Sequence, residues 1–487
     1  AADSTFGLAL RRMGYVIGWG PAASGDYLDG ATYIERSVLF GRGLSRRESL
    51  LFTAESLSVA LAAARDPGTL VRHAFAAVGV LEEAARRYPD DPEVWYHLGE
   101  VLTHWSPPLG GRPAAALDAF ERAVTLDSGF TPAYEHTVEL AMQLRMPERA
   151  MRYARAYAAR NPTEASAEAL RLVALVFDSG GVAAPAVAAA VRAAPANTIS
   201  RVYDHLQWWT DSAETAIALR RSLRSGRHDV TGAPPFVADS LMWGQYLAHA
   251  LAFRGRLREA VAAHGRLLVD PGAAASSAMS DPFLDLALLG AVPDTAAARG
   301  FAKGLARDAS WDGYRIPRYL RGLPWWLARR DTAAIVRFAG RAAEVEREAS
   351  APRARLRARY LRAAAAGYLA LARADTADAV RRLAAIPDTL CVAGTCFAEK
   401  LLLARLQAAM GDDRSAAAVL DRWMWVEGST PSFVLAALER ARIAERLDDR
   451  PEAVRWYRFV TEVWRRADPG LRPYVEEANA RLERRPG

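Results

Sequence analysis

The chain has 487 residues, 51% of them hydrophobic and 24% charged, with 63 basic against 56 acidic side chains and two cysteines. That balance fits a few globular domains or one long repeat array, and excludes collagen, a disulfide scaffold and a disordered chain. No stretch approaches the ~18 uninterrupted apolar residues of a membrane span, and the net charge of +7 is carried almost wholly by arginine, Lys303 and Lys400 being the only lysines.

The chain opens at Ala1 with neither a Met nor a secretory leader, so a processed or truncated product is expected. Its first segment, DSTFGLALRRMG (3–14), parallels DSGFTPAYEHTV (127–138), and IERSV (34–38) parallels FERAV (120–124). A helix that looks like the middle of an array yet stands first leaves Phe6, Leu8, Leu10 and Met13 as candidates for an interface. Gly18, Gly20 and Gly25 echo a phosphate loop, but a helix precedes them where a strand is required, so a turn between helices is expected.

The clearest unit follows. Trp95, Leu98 and Gly99 open it at the spacing W-x2-L-G, and Ala116, Phe120 and Ala123 continue it as A-x3-F-x2-A. Tyr134 restarts the pattern, Ala150, Ala154 and Tyr157 repeat its second half, and Pro162 closes it. Small residues let two antiparallel helices approach, and the large ring fills the gap between neighbouring hairpins. Further on, 242–268, 357–387, 400–423 and 434–460 each read helix, turn, helix. Gly411-Asp412-Asp413 and Asp448-Asp449-Arg450-Pro451 supply stop and cap chemistry there. Nowhere does period-two alternation persist, so essentially no sheet is expected.

This grammar resembles the tetratricopeptide repeat (TPR) superfamily, most closely over 72–162. The fold expected is all-α, a TPR-like right-handed superhelical solenoid of about nine or ten hairpins. Three regions are anticipated: an N-terminal array (1–162), degenerate hairpins (163–234), and a C-terminal array (235–487) ending in a polar capping helix. The segment 437–485 is similar to the tail of the TPR regions attached to bacterial Ser/Thr protein kinases and activator-type transcription regulators. That resemblance implies a sensor or scaffold role. It carries no kinase activity, since the phosphate loop, His-Arg-Asp and Asp-Phe-Gly elements are lacking.

Chemistry is sparse. His97 and His104, with Glu100 between, superficially suggest a metal pair, but no acid cluster is seen to complete it, so neither metal nor cofactor is expected. The pairs Trp208-Trp209, Trp325-Trp326 and Trp423/Trp425 have two readings. Neighbours on a helix point about 100° apart, so one of each pair faces a groove or partner, or both pack between hairpins. Cys391 and Cys396 bracket a four-residue loop that permits a small disulfide ring and then an oxidising, extracytoplasmic or secreted setting; free buried thiols in a cytoplasmic chain are the alternative. The arginines at 353, 355, 357, 359 and 362 follow Glu344, Glu346 and Glu348, which reads as a solvated helix face and not a nucleic-acid surface. The expectation is a non-enzymatic scaffold whose partner is a protein or peptide, with head-to-tail self-assembly into an extracellular filament as the alternative.

Overall fold

The computed structural model describes residues 6–19, 27–40, 43–63, 67–105, 109–160, 165–209, 213–231, 240–265, 282–302, 311, 318–391, 396–426 and 428–483. Pro162, Gly20 and Gly25 lie outside the described residues. Among the described residues there are 25 α-helices and no strand, and many helices adjacent in sequence pack against each other as hairpins. The fold class is therefore all-α, stacked helical hairpins. No helix among the described residues is long and apolar enough to cross a membrane.

The chain divides into two compact units, one formed by Ala1–Arg171 with Gly232–Pro235, the other by Leu172–Thr231 with Phe236–Gly487. The first unit contains α1 (Gly7–Trp19), α2 (Tyr27–Leu39), α3 (Arg46–Ala63), α4 (Pro67–Arg87), α5 (Pro92–His104), α6 (Pro113–Leu126), α7 (Pro132–Gln143) and α8 (Pro147–Arg160). Proline stands in the first turn of α5, α6 and α7, where the missing N–H costs nothing. Asp91 caps α5, its Oδ1 accepting from the N–H groups of Glu93 (3.0 Å) and Val94 (3.4 Å).

In α5 and α6, Leu98 is buried and Gly99 lets the Phe120 ring lie directly on the α5 backbone. Ala116, Phe120 and Ala123 have no exposed surface. Tyr134 is buried too, stacked on Tyr157 at 5.5 Å, and its hydroxyl donates to the Ser128 carbonyl at 2.9 Å. Trp95 departs from the sequence expectation. It is only half-buried, because its indole N–H donates to the Pro89 carbonyl (2.8 Å) at the rim, and Tyr96 takes the buried place beside Phe120.

One turn chemistry joins many hairpins. Arg145, Gly255, Gly290, Arg330, Ala374, Gly411 and Asp448 all have left-handed φ, between 54° and 83°. The residue after each donates its N–H to a carbonyl five residues back, as in Met146 to Ala141, Asp375 to Ala370 and Asp449 to Ala444. This is the Schellman stop of a helix. Where the next residue is Asp331, Asp375, Asp412 or Asp449, its carboxylate caps the following helix.

In the second unit, contacts also join hairpins that are far apart in the chain. Helix Ser240–Phe253 and the turn after it meet the segment 429–471. Trp464 donates its indole N–H to the Phe253 carbonyl (3.0 Å), the Asp468 N–H donates to the Gly255 carbonyl (2.9 Å), and Trp208 packs edge-on to Phe433. The last helix, Arg472–Glu483, turns Arg472, Glu476 and Glu483 to solvent, while Glu477 pairs with Arg442 and Arg481 with Glu445. Arg484 lies outside the described residues.

Candidate functional site

The helical face of α5 decides which side chains meet. Glu100 and His104, four residues apart, stand one above the other. The structure brings a third group that sequence reasoning did not single out, His136, from the second turn of α7. His104 Nε2 and His136 Nε2 face each other at 3.3 Å. Glu100 Oε2 lies 3.5 Å from His104 Nε2, and Glu100 Oε1 lies 3.4 Å from His136 Nε2. Behind His136, its Nδ1 faces Glu139 Oε2 at 3.4 Å, and its ring stacks on Phe120 at 5.2 Å. Glu100 is only 7% exposed and its Oε1 receives no hydrogen bond, whereas His104 is about one-third exposed and opens the cluster to water.

The electrostatics follow from that crowding. Burial opposes a charge on His136, but the carboxylates of Glu100, Glu139 and Glu135 outweigh it and push its pKa up to about 9. Burial holds His104 below the ordinary histidine value; Glu100 works the other way, and His136 adds to the lowering. Two imidazoles and a carboxylate converge here, and no arginine is paired with Glu100 among the described residues.

His97, the partner the sequence suggested for His104, belongs elsewhere. It is buried with Nε2 3.4 Å from Glu55 and 3.8 Å from Glu93, and those carboxylates are taken up by guanidinium groups. Arg11 bonds Glu55, and Arg12 and Arg47 each reach Glu93 at 2.7 Å. Burial alone would raise the Glu93 pKa, but His97 and Arg47 hold it well below the carboxylate range. This network ties α1, α3 and α5 together, and its carboxylates are ion-paired with guanidinium groups.

The remaining candidates divide. Phe6 and Met13 are exposed and Leu8 half-buried, but Leu10 is buried, because Gly7, Leu10, Arg11 and Gly14 form the stripe of α1 that faces inward. Trp208, Trp209, Trp325 and Trp326 are all buried, so none of them is a surface anchor on the described chain. The first pair follows the end of helix Ala196–Leu206, so helical geometry does not separate the two; Trp208 packs on Phe253 and Trp209 on Phe177. The second pair sits on the short helix Leu323–Ala328, where Phe301 covers Trp325 and Phe338 covers Trp326. Trp423 is buried, and Trp425 is half-buried against Phe433 and Trp456.

Cys391 and Cys396, both buried, are joined as a disulfide. In the arginine-rich helix, Arg357 is buried and donates to the Trp311 carbonyl, and Arg359 and Arg362 share Glu346. Nothing is described of the Arg353 side chain.

No family model and no curated protein sequence matches the chain. Among solved structures, the TPR domain of P58(IPK) is 13% identical, aligned over 91% of this chain and 100% of its own, with a TM-score of 0.23. The structure of Naa15/Naa10 bound to HypK-THB is 15% identical, aligned over 93% of this chain and 68% of that one, with a TM-score of 0.24. Scores this low describe no common superposition, so the fold assignment rests on the hairpin packing of this chain itself.

Proposed function

We propose that the chain is a non-catalytic protein–protein interaction scaffold, the sensor or scaffold part of a larger bacterial signalling protein. One observation carries the reading. Phe6 (54% exposed), Met13 (45%), Val38 (52%), Leu39 (73%) and Phe40 (38%) gather on the first hairpin. Met13 lies on the outer side of α1, and Phe6 immediately precedes that helix. The start of α1 lies against the end of α2, close enough that a Cβ on Gly7 would be 2.9 Å from the Phe40 carbonyl oxygen. Large apolar side chains exposed on one hairpin, with exposed charges such as Glu35 and Arg36 beside them, have the composition of an interface core and its rim.

The bacterial signalling context is supported by the resemblance of 437–485 to kinase- and regulator-linked TPR tails. An extracytoplasmic location is supported by the pairing of both cysteines. A subunit that polymerises head to tail would use the same face, and sedimentation velocity separates the two readings. The scaffold reading predicts a sedimentation coefficient that stays constant as protein concentration rises. A coefficient that climbs with concentration, and stops climbing in Leu39→Glu, would replace it with self-assembly.

A further inference from the structure

We propose that Glu100, His104 and His136 form a binding site for a divalent transition-metal ion, zinc fitting best, that links two successive hairpins of the first unit. The donor set is the first argument. Two imidazole nitrogens with one carboxylate suit zinc and its neighbours, whereas calcium and magnesium select oxygen alone. Two histidines and one glutamate are also a known three-ligand set for zinc, which leaves one coordination position open.

Distance is the second. Zinc–nitrogen and zinc–oxygen bonds of about 2.0–2.2 Å in a tetrahedron put neighbouring donor atoms about 3.3–3.5 Å apart. The two Nε2 atoms stand 3.3 Å apart, the nearest Glu100 oxygen to each stands at 3.4 Å (Oε1 to His136) and 3.5 Å (Oε2 to His104), and one donor atom from each of the three residues lies within 4.8 Å of the others. Glu100 turns one oxygen to each histidine, so it spans both edges from one side, and both rings present Nε2 to the centre.

The third argument is what surrounds the donors. A metal-bound imidazole usually gives its other N–H to a carboxylate, which fixes the tautomer and the ring plane. Glu139 stands in that place behind His136 Nδ1, 3.4 Å away. A buried carboxylate oxygen left without a hydrogen bond costs stability, and Glu100 Oε1 is such an atom, aimed into the cluster. The ligands also come from regular helices with little freedom to rearrange, Glu100 and His104 from one and His136 from the next hairpin. Because His104 is partly exposed, an ion has a route in, and the fourth position is open to water or to a donor from a bound ligand.

The test uses the full, untagged chain after treatment with a chelator. Calorimetric titration should show one saturable equivalent of zinc, and cobalt(II) bound in its place should show the intense visible bands of tetrahedral coordination. His104→Ala and His136→Ala should each abolish the saturable equivalent, with circular dichroism confirming unchanged helicity. Glu139→Gln should keep the stoichiometry and weaken binding roughly 10–100-fold. If His136→Ala fails to fold, His104→Ala, at the exposed corner, decides. The proposal is overturned by the absence of a saturable equivalent, by unchanged binding in His104→Ala, or by cobalt spectra without tetrahedral bands.

Discussion

Phe120→Ala is expected to destabilise the first unit by about 3–5 kcal/mol, the range for deleting a fully buried aromatic ring. The ring has no exposed surface and sits at the junction of α5, α6 and α7. A Cβ placed on Gly99 would come 2.7 Å from its Cε1 and Cζ, so the α5 backbone is already in contact and cannot close in on the cavity. Tyr96 (5.9 Å between centroids) and His136 (5.2 Å) pack on the same ring. Hydrogen exchange of α5 and α6 amides reads the loss locally, which matters in a chain of two units. A change under about 1 kcal/mol would contradict the packing at Gly99.

Gly255→Ala should destabilise the second unit by about 2–5 kcal/mol, from two additive causes. The residue has φ +72°, a conformation that costs a side chain roughly 1–2 kcal/mol. Its Cβ would also lie 2.6 Å from Ala467 Cβ, 3.0 Å from Leu471 Cδ1 and 3.1 Å from Trp464 Cδ1. Gly411, with φ +83° and open space around it, isolates the first cause, so Gly411→Ala should cost only the conformational part. Thermal or denaturant unfolding of the two variants checks this. Equal effects would mean that the 464–471 segment is not seated on the 255 turn.

Those two sites mark what the sequence could and could not reveal. The hairpin at 92–126 was legible because its grammar is local: small residues at helix contacts and a large ring at fixed spacing follow from one supersecondary unit. Trp95 misled because a large ring at the right spacing reads as buried, while its N–H required a carbonyl that only the rim supplies. Gly255 was legible as a turn between helices. Its contact with Ala467 was not, since a pairing some 212 residues distant leaves no periodic trace. For the tryptophan pairs the spacing leaves two readings open, and the packing that decides between them depends on Phe253, Phe177, Phe301 and Phe338, which come from other helices.

The histidine cluster lay between these cases. Glu100 and His104 share one face by spacing alone, and that much was visible. His136 does not show by spacing, because it stands on a different helix from Glu100 and His104. The first helices of successive hairpins adjoin in a stacked array, so a histidine on 92–104 and another on 132–143 were a readable pair.

Docking of another protein on the first hairpin can be read from a photoreactive residue placed at Leu39, the most exposed large apolar side chain there. One discrete adduct with a different polypeptide is expected in the cells that make the protein. The same probe at the exposed Arg382 should give none, and Phe40→Glu should remove the Leu39 adduct. No adduct at Leu39, or the same adducts from both positions, would contradict it.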